Sequence, residues 1–148
     1  LIRAGKKPLI IAYGNCSMAN IYLGRDMDYI HVDTVDQVNA AAVKAILEDK
    51  HDVIIVYNGN YDARAHRWGP EAPQTLAELK CNARTFAMLS HLVKTHWKHH
   101  NTLVGFAMDH GCHEIDGGCG SHGLDMPEDL NITHFYHAHI GENVKSEI

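Results

Sequence analysis

The sequence predicts an α/β fold, built as a mostly parallel sheet with flanking helices. Short apolar runs suited to strands alternate with stretches of helical periodicity, and that alternation is typical of parallel sheets. The chain has 148 residues, of which 45% are hydrophobic and 21% are charged. These values are ordinary for one globular domain of this length. We therefore interpret residues 1–148 as a single domain.

The first part of the chain contains predicted strands separated by helices. Three runs are predicted strands, and the first and last are expected to be buried: residues 8–13, 29–32 and 52–57. Residues 16–24 predict a short helix that ends at Gly24. Thr34 and Gln37 have the spacing of a capping box, and the apolar residues after them recur every three or four positions. A helix to about Lys50 is expected there.

A long periodic helix dominates the second part. Its apolar positions step by three or four and predict about six helical turns with a buried face: Leu76, Leu79, Ala83, Phe86, Leu89, Val93 and Trp97. Residues 102–108 predict another buried strand, residues 110–128 a long glycine-rich loop and residues 133–136 a short strand. Ligands of parallel sheets bind beyond the carboxyl ends of the strands, so a functional site is expected in the loops after Tyr57 and Met108.

Composition and charge exclude several classes of protein. The 13 Lys and Arg against 18 Asp and Glu give a net charge of −5, which argues against nucleic-acid binding because phosphates attract basic surfaces. The apolar runs are far shorter than the roughly 20 residues that cross a bilayer, so no membrane span is expected. Four cysteines without a CxxC pair favour free thiols in a reducing compartment, with the cytoplasm slightly preferred.

Three segments carry residues suited to metal chemistry. Asp62 and His66 are four residues apart after a predicted strand, and on one helical turn both would face the same side. Asp109 and His110 follow the next predicted strand, and His122 lies among glycines that indicate a close backbone approach. Carboxylates and imidazoles together suit zinc, manganese or iron. Each segment taken alone also fits an ordinary surface hydrogen bond or a flexible loop.

The order and context of these segments resemble the alkaline phosphatase superfamily, most closely its type I phosphodiesterase/nucleotide pyrophosphatase branch. The matching stretches are residues 61–70 (YDARAHRWGP), 108–111 (MDHG) and 121–125 (SHGLD). Each follows the kind of element that the family has at that place, and a long helix separates the first two. The resemblance extends from about residue 7 to about residue 136.

The resemblance implies a phosphoric-ester hydrolase with two divalent metal ions, zinc foremost and manganese or iron as alternatives. By position, Asp62, His66 and His122 would hold one ion, and Asp109 and His110 would hold part of the second. The implied substrate is a small-molecule phosphodiester or a nucleotide pyrophosphate. Members of the family attack phosphorus with a metal-bound Thr or Ser and then hydrolyse the covalent ester.

The sequence departs from the family at the nucleophile. In the family, the nucleophile and a further Asp come from an upstream segment that these 148 residues do not contain. The chain therefore resembles the carboxyl-terminal half of the catalytic domain, a partial metallo-hydrolase domain. We expect the isolated chain to be inactive unless a complementing segment or a second chain completes it. A homo-oligomer is the other partner that stays open. Ser17 is a less favoured substitute nucleophile, because its position matches a non-catalytic part of the family pattern.

Several alternatives stay open from the sequence. Within the superfamily the chain fits a phosphomonoesterase, a sulfatase or a phosphomutase, and outside catalysis it fits a metal-binding module. His96 and His100 are spaced for a further metal pair, although a solvated helix end explains them more simply. A small structural zinc site would use Cys112, His113 and Cys119, whose spacing is not that of a zinc finger.

Overall fold

A computed structural model describes residues 1–142 and shows an α/β protein. The chain divides into two compact units, the first covering Leu1–Gly59 and the second beginning at Asn60. The predicted fold class is confirmed at this level. The parallel sheet, however, is confined to the first unit.

The first unit is a three-stranded parallel sheet with its helices. Strand β1 (Pro8–Tyr13) lies between β2 (Asp28–Val32) and β3 (Val53–Tyr57). Helix α1 (Ser17–Tyr22) connects β1 to β2, and helix α2 (Val35–Glu48) connects β2 to β3. All five elements lie within a few residues of the boundaries that the sequence predicts.

The core of the first unit forms between β1 and α2. Strand β1 is buried because strands flank both of its edges and α2 packs on the sheet. The buried side chains of the two elements are Leu9, Ile10, Ile11, Ala12, Val38, Ala42, Ala45 and Ile46. The capping box is confirmed: the Thr34 hydroxyl accepts from the backbone N–H of Gln37, and the Gln37 side chain accepts from that of Thr34.

The second unit is mainly helical, with two small antiparallel sheets. Its elements are α3 (Asn60–Trp68), α4 (Pro73–His96), β4 (Thr102–Phe106), β5 (His113–Ile115), β6 (Cys119–Ser121), α5 (Pro127–Leu130) and β7 (Phe135–His139). Strand β4 pairs with β7, β5 pairs with β6, and α3 packs against both α4 and β6. The predicted long loop therefore contains a hairpin and a short helix.

Two expectations about strands are wrong. Strand β4 belongs to an antiparallel pair with β7 in the second unit, where a strand of a parallel sheet is expected from the sequence. Neither β3 nor β4 contains a buried residue, and Leu103 in β4 is 70% exposed. The physical reason is that β3 is an edge strand and β4 belongs to a sheet of only two strands.

The predicted buried face of α4 is confirmed only in part. Val93 is buried, whereas Leu76 and Leu79 are exposed. Phe86 is half-buried and packs on Phe106 of β4, with ring centroids 5.3 Å apart. Helix α4 spans 24 residues, but no helix in the described part of the chain combines the length and apolar content that a bilayer crossing needs.

Candidate metal centre

Helix α3 brings the first two predicted ligands together. Asp62 lies in the first turn, where a carboxylate is favoured by the helix dipole, and His66 follows one turn later. Glu78 of α4 fixes the helix, because its carboxylate accepts from Asn60 Nδ2 at 2.8 Å and from Arg64 Nε at 3.2 Å. The predicted helical turn is confirmed, with both side chains on one face.

The end of β6 supplies the third ligand. His122 follows β6 directly, and its Nε2 lies 3.5 Å from Oδ1 of Asp62. Nε2 of His66 lies 3.4 Å from the same oxygen. The ligand atoms of all three side chains are within 4.8 Å of one another, and no other such group of three occurs within residues 1–142. We call Asp62, His66 and His122 the metal cluster.

The chemistry of Asp62 fits a cation. Its Oδ1 is buried and has no hydrogen-bond partner, although the side chain as a whole is 38% exposed. A buried carboxylate oxygen without a partner is costly, and a cation shared with two imidazole nitrogens would satisfy it. The residues present therefore fit the metal that the resemblance implies.

A backbone carbonyl sets the tautomer of His66. Nδ1 of His66 donates to the carbonyl oxygen of Gly120 at 3.0 Å, which leaves the Nε2 lone pair facing Asp62. This contact needs α3 and β6 to touch through their backbones. A Cβ at Gly120 would lie 2.5 Å from the carbonyl oxygen of Ala65. The close approach that the glycines of this stretch predict is thus confirmed at Gly120.

His110 lies beside the metal cluster. Its ring stacks on that of His122, with centroids 3.7 Å apart and planes 23° apart. Nδ1 of His110 donates to the carbonyl oxygen of Gly111 at 2.8 Å, and its Nε2 lies 3.8 Å from Oδ1 of Asp109. Asp109 is mostly exposed. The structure therefore brings His110 beside the cluster, while the ligand roles of Asp109 and His110 stay a prediction.

The other histidine pair is not assembled. His96 is the last residue of α4, and His100 lies beyond the helix end. The two side chains therefore do not share a helical face. His100 instead packs edge-on near Trp97, with ring centroids 6.1 Å apart.

The cysteine alternative is not assembled either. Register places Cys119 opposite Ile115 and His113 opposite Ser121, so Cys112 and Cys119 are separated along the hairpin. Burial raises the pKa of the Cys112 thiol, and the nearby Asp62 and Asp129 carboxylates raise it further. Within residues 1–142, these three side chains do not form a group whose ligand atoms could share one ion.

Asp129 is a buried residue that the sequence reasoning missed. Its Oδ1 accepts from Nδ1 of His113 at 2.8 Å, and its Oδ2 accepts from the backbone N–H of Leu124 at 2.8 Å. Burial raises the pKa of the Asp129 carboxyl, but these hydrogen bonds outweigh burial and hold the pKa below its ordinary value. The only sequence signal was an acidic residue in the first turn after Pro127, which also fits a solvated helix start.

Comparison with known proteins adds no family assignment. No protein-family model matches the sequence, and no curated protein matches it at a significant level. The superfamily resemblance remains a prediction from the three motifs.

Proposed function

We propose that this chain carries metal-binding residues of a phosphoric-ester hydrolase of the phosphodiesterase or nucleotide pyrophosphatase type, with an alkaline-phosphatase-like fold. The observation that supports the proposal is the position of Asp62 Oδ1, 3.4 Å from Nε2 of His66 and 3.5 Å from Nε2 of His122. One carboxylate and two imidazoles form a ligand set of catalytic zinc, which keeps its fourth position open. Manganese and iron are the alternatives.

The residues of the chain have separate tasks in this proposal. Asp62, His66 and His122 hold one ion, while Asp109 and His110 contribute to a second. When bound, the ions supply Lewis-acid stabilisation of charge on a phosphoryl oxygen. In neutral His66, the hydrogen bond from Nδ1 to the Gly120 carbonyl leaves the lone pair of Nε2 available for the ion. In this proposal, the remaining ligands and the nucleophile come from a segment outside these residues or from a second, different chain.

The substrate in this proposal is a small phosphodiester or nucleotide pyrophosphate. An anionic phosphate ester would meet an open coordination position in a chain whose own net charge is −5, so its binding depends on the ions. Phosphomonoesters, sulfate esters and phosphomutase substrates are alternatives of the same superfamily. A metal-binding module without catalysis is the alternative from a different class.

The first experiment measures bound metal. The purified chain is loaded with Zn²⁺, dialysed and analysed for zinc per chain. We expect Asp62→Asn and His122→Asn to lose the tightly bound zinc. Asp116→Asn is the matched control, because Asp116 is an exposed carboxylate between β5 and β6. Wild-type chain that retains no zinc, manganese or iron would overturn the metal centre.

The second experiment separates a hydrolase from a metal-binding module. We expect the zinc-loaded chain to bind AMP, and we expect both the metal-free chain and the Asp62→Asn variant to fail. Zinc binding without AMP binding would overturn the hydrolase and support the module. We also expect the isolated chain not to hydrolyse bis(p-nitrophenyl) phosphate. Turnover at ordinary enzymatic rates, above about 1 per second, would overturn the external nucleophile and retain the hydrolase.

A further inference from the structure

The short helix α5 lies against both turns that carry candidate histidine ligands. The backbone N–H of Gly111, the residue after His110, donates to the carbonyl oxygen of Asp129 at 2.8 Å. The backbone N–H of Leu124, two residues after His122, donates to Oδ2 of the same Asp129 at 2.8 Å. One residue thus contacts both histidine-bearing turns.

The approach of α5 to the His110 turn is as close as backbones allow. A Cβ at Gly111 would lie 1.8 Å from the carbonyl oxygen of Glu128. Because the turn after His110 contacts the α5 backbone directly, only glycine fits at position 111. The turn after His122 is held differently, through the side-chain carboxylate of Asp129.

The Asp129 carboxylate is itself fixed from the other side. Its Oδ1 accepts from Nδ1 of His113, the first residue of β5, at 2.8 Å. The side chains of His113 and Asp129 are only 7% and 2% exposed. Both carboxylate oxygens are therefore used, one by β5 and one by the turn that follows His122. Burying such a pair is often no more stabilising than an apolar pair of the same size, so stability alone is a weak explanation for it.

We propose that Asp129, clamped by His113, is a positioning residue that holds His110 and His122 in their stacked arrangement beside Asp62. This inference rests on the proposed function, because it assigns the stacked pair to the metal centre. The contact between the two rings, with centroids 3.7 Å apart, requires both turns to keep their places. Asp129 is the residue that hydrogen-bonds to both.

Substitutions at Asp129 separate positioning from simple stability. Asp129→Ala removes the acceptors of Leu124 and His113. In Asp129→Asn the amide oxygen accepts from Leu124, and the amide nitrogen donates to Nδ1 of a neutral His113. Asp129→Glu keeps the charge but moves it by one methylene. Glu128→Ala is the matched control, because Glu128 is an exposed side chain of the same helix.

Zinc competition and the absorption spectrum of bound Co²⁺ give the metal readout. We expect Asp129→Ala to weaken zinc binding by about 10- to 100-fold and to change the Co²⁺ spectrum, as removal of outer-shell partners does. Asp129→Asn should restore the spectrum and most of the affinity, and Glu128→Ala should match the wild type. If Asp129→Ala fails to fold, Asp129→Glu replaces it and should also weaken binding. Lower thermal stability with unchanged affinity and spectrum in the folded variant would overturn the proposal.

A second readout needs no metal. In the metal-free chain, nuclear Overhauser contacts between the ring protons of His110 and His122 report the stack. We expect these contacts to be lost in Asp129→Ala, or in Asp129→Glu if the former does not fold, and kept in Asp129→Asn. Contacts that persist in the folded variant would overturn the positioning role. A wild-type chain that shows the contacts but binds no metal would overturn only the proposed function.

Discussion

At the scale of single residues, Gly120 sets the distance between α3 and β6. Its carbonyl orients His66, and its missing Cβ allows the backbone of α3 to come close. A side chain there would meet the Ala65 carbonyl oxygen at 2.5 Å and Sγ of Cys112 at 2.9 Å. One position therefore combines a packing requirement with a ligand-orienting hydrogen bond.

We expect Gly120→Ala to destabilise the protein by about 1–3 kcal/mol, as overpacking in a tight site does, and to weaken zinc binding. Gly117→Ala is the control, since a Cβ at Gly117 has open space around it and only the positive φ of 83° opposes the side chain. We expect Gly117→Ala to lower the free energy of unfolding by about 1–2 kcal/mol and to leave zinc binding unchanged. Urea unfolding and zinc competition are the measurements. A Gly120→Ala variant that binds zinc like the wild type would contradict the orienting role.

At the scale of elements, Asp52 fastens the start of β3 to the start of β1. Its backbone N–H donates to the Lys7 carbonyl oxygen at 3.0 Å, and its Oδ2 accepts from the Lys7 backbone N–H at 2.8 Å. Lys6 Nζ lies 3.1 Å from Oδ1. The hydrogen bond from Lys7 contributes most to lowering the pKa of the Asp52 carboxyl, and Lys6 adds to it.

This shift predicts a pH dependence of stability. A carboxyl whose pKa is lower in the folded than in the unfolded state stabilises the fold above its unfolded pKa, which is about 3.9. That contribution is lost as pH falls through the folded pKa. We expect Asp52→Asn to be less stable than the wild type at pH 6, and the difference in unfolding free energy to shrink as pH falls below about 4. Asp26→Asn, an exposed carboxyl of the same unit, is the control. A difference that does not change with pH would contradict the assignment.

The sequence predicted helices and strands correctly where interactions between residues close in the sequence determine them. The capping box of Thr34 and the periodicity after it located α2, and the Asp62–His66 spacing predicted one face of α3. Burial of β4 and of Leu76 was predicted wrongly, because the apolar pattern does not reveal whether a partner layer covers it. The hydrogen bonds of Asp129 to Gly111 and Leu124 were not predicted, because tertiary packing brings these residues together. The spacing of residues along the sequence does not show such contacts.

At the scale of the whole chain, all five predicted ligand residues belong to the second unit, which begins at Asn60. The first unit is built around the buried strand β1 and helix α2 and contains none of them. A ligand that binds only the folded second unit stabilises that unit by mass action.

Metal binding should therefore slow amide hydrogen exchange in the second unit and leave exchange in the first unit unchanged. At a free Zn²⁺ concentration about 100 times the dissociation constant, the binding unit gains about 2.7 kcal/mol. We expect slower amide hydrogen exchange in α3 and the β5–β6 hairpin, and unchanged exchange in β1 and α2. Apo and zinc-loaded chains compared by mass spectrometry give the measurement, with Asp62→Asn as the variant that should show no difference. Equal protection of both units would contradict a site confined to the second.

The separation of the ligands along the chain has a consequence for the order of folding. Asp62 and His66 come together as soon as one turn of α3 forms, a step that takes about a microsecond or less. His122, 56 residues after His66, joins them only when the hairpin docks on that helix. An ion added during refolding would therefore bind only after α3 and the hairpin have formed and docked. We expect it to slow the unfolding of the docked pair. The rates at which α3 and the hairpin form should stay the same.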